Sequence, residues 1–392
     1  MGTLHPHRVA APVRPAPITA RRRRVRTYLR DFLNNFAAQE GKGGGEYFTP
    51  ESIVRLIVEI LEPFEGRVLD PACGSGGMFV QSADFVERHN GSAVRKLTIF
   101  GVEQKDDTVP LAKMNLALHG LSGDIRQANS YYEDPHAALG AFDFVMANPP
   151  FNVDKIKKDQ LAGDKRFPFG LPKADNGNYI WIQEFYAALS PKGRAGFVMA
   201  NSAGDAGHSE RAIRQQLIET GVVDVMVAIS PNFFYAVALP VTLWFLDKGK
   251  LGTPREDTVL FIDARHVYNQ IDRTHRDFRL EQSEFLANIV RLYRGERAET
   301  VSGSGGLLEA HFPHDSYLDV AGLCKVATRA EIEAQAWTLN PGRYTGSTAD
   351  RGDDEGFTET LDSLFQEFTR LSNEAAVLRL KVDTAVQGIL NA

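Results

Sequence analysis

Three short segments hold residues whose types and spacing could do chemistry. In Asp70-Pro71-Ala72-Cys73-Gly74-Ser75-Gly76-Gly77, three glycines in four positions let the backbone turn tightly and come close to a ligand. The apolar Met78-Phe79-Val80 that follows opens a helix, whose first turn offers free N–H groups and a positive dipole end. The spacing is neither the dinucleotide G-x-G-x-x-G nor a Walker loop, because no Gly-Lys-Ser/Thr follows. Glu103 ends the β-rich run Thr98-Ile99-Phe100-Gly101-Val102-Glu103, where an acid can accept both hydroxyls of a ribose lying across strand ends. The third segment, Asp143-Phe144-Val145-Met146-Ala147, delivers Asn148-Pro149-Pro150-Phe151. Two consecutive prolines lock φ and keep the residue before each out of the helical region, so the Asn148 amide and the Pro149 carbonyl become fixed acceptors. Fixed acceptors suit a weakly nucleophilic ring amine: bonding its two N–H groups localises the nitrogen lone pair and aims it at an electrophilic methyl group. Phe151 is placed to stack on the base. Each segment alone also fits a plain glycine turn, a solvated acid or a chance proline turn, so their weight lies in the combination.

Such residues must be carried by a sheet. Between residues 41 and 250, short β-branched or aromatic runs alternate with longer helical stretches, the βαβα pattern of a mostly parallel sheet with helices on both faces. The expected strands are 67–69, 97–102, 125–128, 142–147, 196–200, 222–229 and 241–246. Thr49 as cap and Pro50 as first helical residue predict a helix whose apolar face is Ile53, Val54, Ile57, Ile60 and Leu61. Residues 251–345 are expected to extend this core, with a strand at 258–262 and a helix at 281–293. After a polar linker at 342–356, Phe357, Leu361, Leu364, Phe368, Leu371, Ala375, Leu378, Val382, Ala385 and Ile389 follow in steps of four and three. That seam predicts a C-terminal helical extension within 346–392, either a coiled coil seeking a partner helix or a helix packed on its own domain.

Composition narrows the classes. Of 392 residues, 43% are hydrophobic and 24% charged, an ordinary globular balance, and no apolar run approaches the roughly 20 residues of a membrane span. Two cysteines cannot build a disulfide framework or a four-thiolate zinc site, so a reducing compartment, the cytoplasm, is expected. The net charge of −6 excludes the basic coat of an independent duplex-coating protein. Basic residues instead gather in the leader 1–40, where Arg8, Arg14, Arg21 to Arg24, Arg26 and Arg30 all precede the first acid, Asp31. A disordered or misassigned leader, a phosphate-binding arm and a targeting signal all fit that pattern.

With the order of these motifs established, the chain resembles the modification subunits of type I restriction-modification systems, which are gamma-class S-adenosylmethionine-dependent N6-adenine DNA methyltransferases. Gly45-Glu46-Tyr47-Phe48-Thr49-Pro50 is similar to that family's N-terminal cofactor motif, which precedes the Asp-Pro-Ala-Cys-Gly-Ser-Gly-Gly loop, with Asn-Pro-Pro-Phe last. Asn178-Tyr179-Ile180-Trp181-Ile182, Lys192-Gly193-Arg194-Ala195, Pro231-Asn232-Phe233-Phe234-Tyr235 and Trp337-Thr338-Leu339-Asn340-Pro341-Gly342-Arg343-Tyr344 resemble the same subunit. The resemblance implies a Rossmann-like methyltransferase fold over 41–250. It implies cofactor contacts from Glu46, Tyr47, Phe48, Thr49, Pro50 and Glu51 and from Cys73, Gly74, Ser75, Gly76 and Gly77, with Glu103 on the ribose and Asp70 orienting the loop or meeting the methionine amine. Asn148, Pro149, Pro150 and Phe151 would hold an adenine flipped out of double-stranded DNA. The implied partners are a specificity subunit, a second modification subunit and a restriction subunit. A solitary adenine methyltransferase, a truncated silent assembly subunit, and methylation of RNA or of protein glutamine are the competing functions. Cys73 is not expected to act as a nucleophile, because the cytosine-C5 class presents its cysteine in a Pro-Cys motif absent here.

The sequence departs from that family at three places. Ala128-Asn129-Ser130 stands where an acid commonly binds the cofactor adenine, leaving that contact to Asn129. Only 44 residues precede Gly45, where the family carries a helical N-terminal domain, so 1–40 is also readable as its remnant. Asn152 replaces the glycine that often follows Asn-Pro-Pro-Phe. Beyond it, Lys155, Lys157, Lys158, Lys165, Arg166 and Lys173 are candidate phosphate contacts, although Asp154, Asp159, Asp164 and Asp175 make a solvated loop an equal reading.

Overall fold

Along Val241–Asp247 side chains alternate between two apolar layers, Val241, Leu243 and Phe245 facing one and Trp244 and Leu246 the other. That period of two, with both faces dry, marks a strand covered on both sides. A computed structural model describes residues 49–89, 96–173, 175–234 and 239–346, together with Thr369 and Ser372. Among the described residues, nine strands form one sheet in the order β11-β8-β6-β7-β5-β4-β1-β2-β3. They are β1 (Gly66–Asp70), β2 (Leu97–Glu103), β3 (Gly123–Gln127), β4 (Phe142–Ala147), β5 (Leu189–Ala200), β6 (Val223–Ile229), β7 (Val241–Asp247), β8 (Thr258–Asp263) and β11 (Cys324–Thr328). Two short strands, β9 (Asn269–Gln270) and β10 (Arg276–Asp277), make a separate hairpin.

The sheet is parallel from β3 through β1 to β5 and again between β6 and β8. β7 runs antiparallel between β5 and β6, and β11 antiparallel along β8. Helices α1 (Glu51–Leu61), α2 (Gly77–Arg88), α3 (Thr108–Leu118), α6 (Leu280–Arg294) and α7 (Gly305–His311) cover one face. Helices α4 (Asn178–Ala188), α5 (His208–Glu219) and α8 (Arg329–Ala334) contribute to the apolar layer on the other. This is the mostly parallel, doubly covered methyltransferase sheet expected from the sequence. Residues 251–345 supply β8 and β11 to the same sheet, and Tyr344 stacks on Phe261 of β8 at 3.9 Å.

Several boundaries move. α1 starts at Glu51, with Pro50 as N-cap in the extended region, so neither Thr49 caps it nor Pro50 opens it; the Pro50 carbonyl accepts the N–H groups of Ile53 and Val54 at 3.0 and 3.1 Å. β3 ends at Gln127 rather than 128, and β5 begins at Leu189, seven residues before the expected start, so Lys192-Gly193-Arg194-Ala195 lies within it. The leader 1–40 and the Phe357–Ile389 seam fall outside the described residues, apart from Thr369 and Ser372, both helical. Among the described residues no helix is long and apolar enough to cross a membrane.

The topology creates the site. The chain builds β1, β2 and β3 toward one edge, then returns to the other side of β1 as β4. The crevice outside the carboxyl ends of β1 and β4 lies at that reversal, where sheets of this kind bind ligands. α1 is held beside it by α6: Arg291 donates to Glu62 at 2.7 Å and pairs with Glu59 at 3.5 Å, and Arg294 donates to the Ile60 carbonyl at 2.7 Å.

Candidate active site

The glycine loop leaves β1 at Asp70 and enters α2 at Gly77. Gly74 and Gly76 have φ of +50° and +80°, and Gly76 is the N-cap of α2, so these two positions demand glycine for backbone reasons. Gly77 is different: its φ is ordinary, and a Cβ there would meet no protein atom within 4 Å, so its missing side chain leaves room for a ligand. The loop is tied from both sides. Glu103 accepts the Gly74 N–H on Oε2 at 3.0 Å and the Lys105 N–H on Oε1 at 2.8 Å, and Asn115 Nδ2 donates to the Ser75 carbonyl at 2.8 Å. Gly101 of β2 is required by close approach, since a Cβ would lie 2.6 Å from Ile125 and 2.9 Å from the Cys73 sulfur.

A cavity of about 240 Å³ opens over this loop. The loop lines it with Asp70, Cys73, Gly74, Ser75 and Gly77, β2 with Glu103, and the segment after β3 with Asn129. Thr49 and Glu51 reach it from the start of α1, and Asn148 and Pro150 from the end of β4. The sequence candidates therefore converge on one space from five points in the chain. Pro50, Gly76 and Pro149 do not line it, and Glu46, Tyr47 and Phe48 lie outside the described residues. Trp181, on the first turn of α4, is a wall residue to which the sequence attached no role; its Nε1 donates to the Tyr131 hydroxyl at 2.6 Å and the two rings lie 4.8 Å apart. Its helical position within Asn178-Tyr179-Ile180-Trp181-Ile182 could have been read, but not that this turn packs against the segment after β3.

Electrostatics set Asp70 apart. It is 2% exposed; burial, with the nearby Glu103 carboxylate, pushes its pKa up to about 8 despite the Ala72 N–H donated to Oδ1 at 3.0 Å. A buried carboxyl in that state is poised to become an anion when a cation arrives. Burial, Asp70 and Glu103 together push the Cys73 thiol up, so it is a protonated packing group rather than a thiolate. Asn129 accepts the Tyr131 N–H on Oδ1 at 3.1 Å, so its side chain also closes a local turn.

The N-6 DNA methylase family model matches residues 28–353, most of the chain. The chain belongs to that family. Within this group of adenine-specific DNA methyltransferases it resembles type I modification subunits. It is 38% identical over 335 residues to the HindI methylase subunit of Haemophilus influenzae, covering 85% of this chain and 71% of that one. It is also 38% identical over 361 residues to the MjaIX methylase subunit of Methanocaldococcus jannaschii, covering 90% of this chain and 60% of that one. Two solved structures share the fold. One is the type I methyltransferase subunit of Streptococcus thermophilus, with a TM-score of 0.65 and 24% identity over 79% of this chain and 61% of that one. The other is the EcoKI M protein, with a TM-score of 0.56 and 20% identity over 83% of this chain and 71% of that one.

Phe151 is 9% exposed and belongs to the apolar layer, and it is not among the residues lining the cavity. One expectation changes. Arg166 is not a phosphate contact: it is 4% exposed, bonds Asp164 through Nε and Nη2 at 3.0 and 2.7 Å, and donates to the Ser130 and Tyr131 carbonyls at 2.7 and 3.2 Å. It thereby fixes the wall that follows β3. Lys155, Lys157, Lys165 and Lys173 are exposed, consistent with either of their two readings.

Proposed function

We propose that this chain transfers a methyl group from S-adenosylmethionine to N6 of an adenine flipped out of double-stranded DNA, as the modification subunit of a type I restriction-modification complex. The observation that carries the reading is one cavity lined both by the glycine loop with Glu103 and by Asn148 with Pro150, joining a nucleotide-type site to a fixed amide acceptor. S-adenosylmethionine supplies, when bound, a methyl group made electrophilic by the sulfonium sulfur. The residues present fit it. The space over Gly77 admits a ligand against the backbone, and Asp70 offers a buried carboxylate to a positive charge. Glu103 brings a carboxylate acceptor to the cavity wall at the end of β2, held against the glycine loop by the Gly74 N–H. Asn129 and Trp181 flank the same space.

Asn148 and the Pro149 carbonyl hold the amine of the target base, turning its lone pair toward the methyl. Proline rings keep these acceptors in place, so alignment of nucleophile and methyl supplies the rate. Neither an amide nor a proline can keep a proton, so the proton shed by N6 leaves to water in the cavity. The flipped base reaches the site only by leaving its pair. Exposed lysines of the loop after Phe151 are assigned to DNA phosphates, and the 357–389 seam to a specificity subunit, with a second modification subunit and a restriction subunit completing the complex. The test is incubation with S-adenosylmethionine and unmethylated DNA together with the subunits encoded beside it, then mass spectrometry of the nucleosides. N6-methyladenine that disappears in Asn148→Ala supports the reading; N4-methylcytosine, or no modified base, refutes it.

A further inference from the structure

Asn152 is a non-glycine residue with φ of +54°, and Lys155 another with +59°, so the chain directly after Asn-Pro-Pro-Phe is held twice in the left-handed region. What holds it is the turn before α4. Asn178, 2% exposed and the first residue of α4, accepts the Asn152 N–H on Oδ1 at 2.9 Å and donates from Nδ2 to Asn152 Oδ1 at 2.9 Å. The amide orientation is fixed by the backbone N–H, which can only donate. Asn176 Nδ2 also donates to Asn152 Oδ1 at 3.1 Å, and Asn176 Oδ1 accepts the Asn178 N–H at 2.8 Å. Asp175 accepts the Lys155 N–H at 2.8 Å, and the Gly177 N–H reaches the Val153 carbonyl at 2.9 Å. Gly177 must be glycine for this contact, since a Cβ would lie 2.8 Å from Ile156 and from the Tyr131 hydroxyl.

We propose that Asn178 is a positioning residue for the transfer: by holding Asn152 in the left-handed conformation, it fixes the direction in which Asn148 presents its amide. The inference rests on the methyl-transfer reading above. The link is short and stiff. Between Asn148 and Asn152 stand two prolines with locked φ and the buried Phe151, so the segment is anchored by β4 at one end and by Asn178 at the other. An asparagine in place of glycine at 152 is explained by the same pair, because its side chain tolerates the left-handed region and supplies the partner for Asn178.

The test uses the full chain with its associated subunits. Asn178→Ala is expected to slow single-turnover methyl transfer about 10- to 100-fold, the effect of misplacing an aligned group by about an ångström, while the cofactor Kd stays unchanged. Hydrogen exchange across 148–155 should quicken, while the β2 segment stays protected. Asn152→Ala leaves the buried Asn178 in place and should show the same slowing, whereas Asn152→Gly, free to adopt φ of +54°, should restore the rate; this pair decides the matter if Asn178→Ala does not fold. A native rate in Asn178→Ala, a parallel loss of cofactor binding, or equal rates for Asn152→Ala and Asn152→Gly would overturn the inference. A native protein that binds cofactor yet methylates no adenine would instead overturn the methyl-transfer reading, and the exchange experiment would still decide whether Asn178 pins the loop.

Discussion

Replacing Asp70 by asparagine should stabilise the protein at alkaline pH while impairing it as an enzyme. Asp70 is buried at the end of β1 with its pKa raised from 3.8 to about 8, and its one backbone bond, from Ala72 to Oδ1, is one an asparagine can keep. Between those values the folded chain holds a proton that the unfolded chain has released, so stability falls as pH rises from about 4 to about 8 and is level above. At about 1.4 kcal/mol per pH unit the full shift corresponds to a ceiling of about 6 kcal/mol, of which about 3 kcal/mol falls between pH 6 and 8. Asp70 lines an open cavity, and water entering it relieves part of the burial, so a loss of about 1–2 kcal/mol over that interval is expected. Urea denaturation at pH 6, 7, 8 and 9 should show Asp70→Asn gaining on the native protein up to pH 8 and then running parallel to it. A constant offset, or a variant less stable than the native protein at pH 8.5, would refute the reasoning. The same carboxyl should make cofactor binding tighter as pH rises toward 8, by up to about tenfold per unit, with proton release seen by calorimetry in two buffers.

Other variants separate chemistry, binding and support. Asn148→Ala should abolish methyl transfer, by at least about a hundredfold, and leave cofactor binding intact in calorimetry, because the acceptor matters chiefly in the transition state. Gly77→Ala should melt like the native protein, since its Cβ meets no protein atom, yet lose cofactor affinity; Gly101→Ala should be destabilised, because Ile125 and Cys73 fill the space. Arg166→Met leaves Asp164 and Glu184 without their cation and the Ser130, Tyr131 and Glu133 carbonyls without its donors, and urea denaturation should record a loss of about 3–5 kcal/mol.

Strands β2, β4, β6, β7 and β8 were legible within about a residue, because each is a run rich in β-branched and aromatic residues bounded by loop residues. The glycine loop, Glu103 and Asn148 stood out in the sequence by their combination and order, and the structure brings all three to one cavity. Long-range relations were not legible. Nothing local in Val241–Asp247 distinguishes an antiparallel strand from a parallel one, and Cys324–Thr328 becomes a strand by pairing with β8. Arg166 looked like its lysine neighbours because charge is visible in a sequence and burial is not; the carbonyls that hold it come from residues 130 and 131. Asn152 gained its meaning only when its left-handed backbone and its partner Asn178 were seen together.

Adenine methylation that depends on a partner can be mapped by long-read sequencing for N6-methyladenine in a methylation-free host that expresses this chain with its genomic neighbours and then alone. Methylation at a split, two-part site is expected only when a neighbour is present. Methylation by the chain alone would make it a solitary enzyme, and silence in both would contradict partner-dependent methylation.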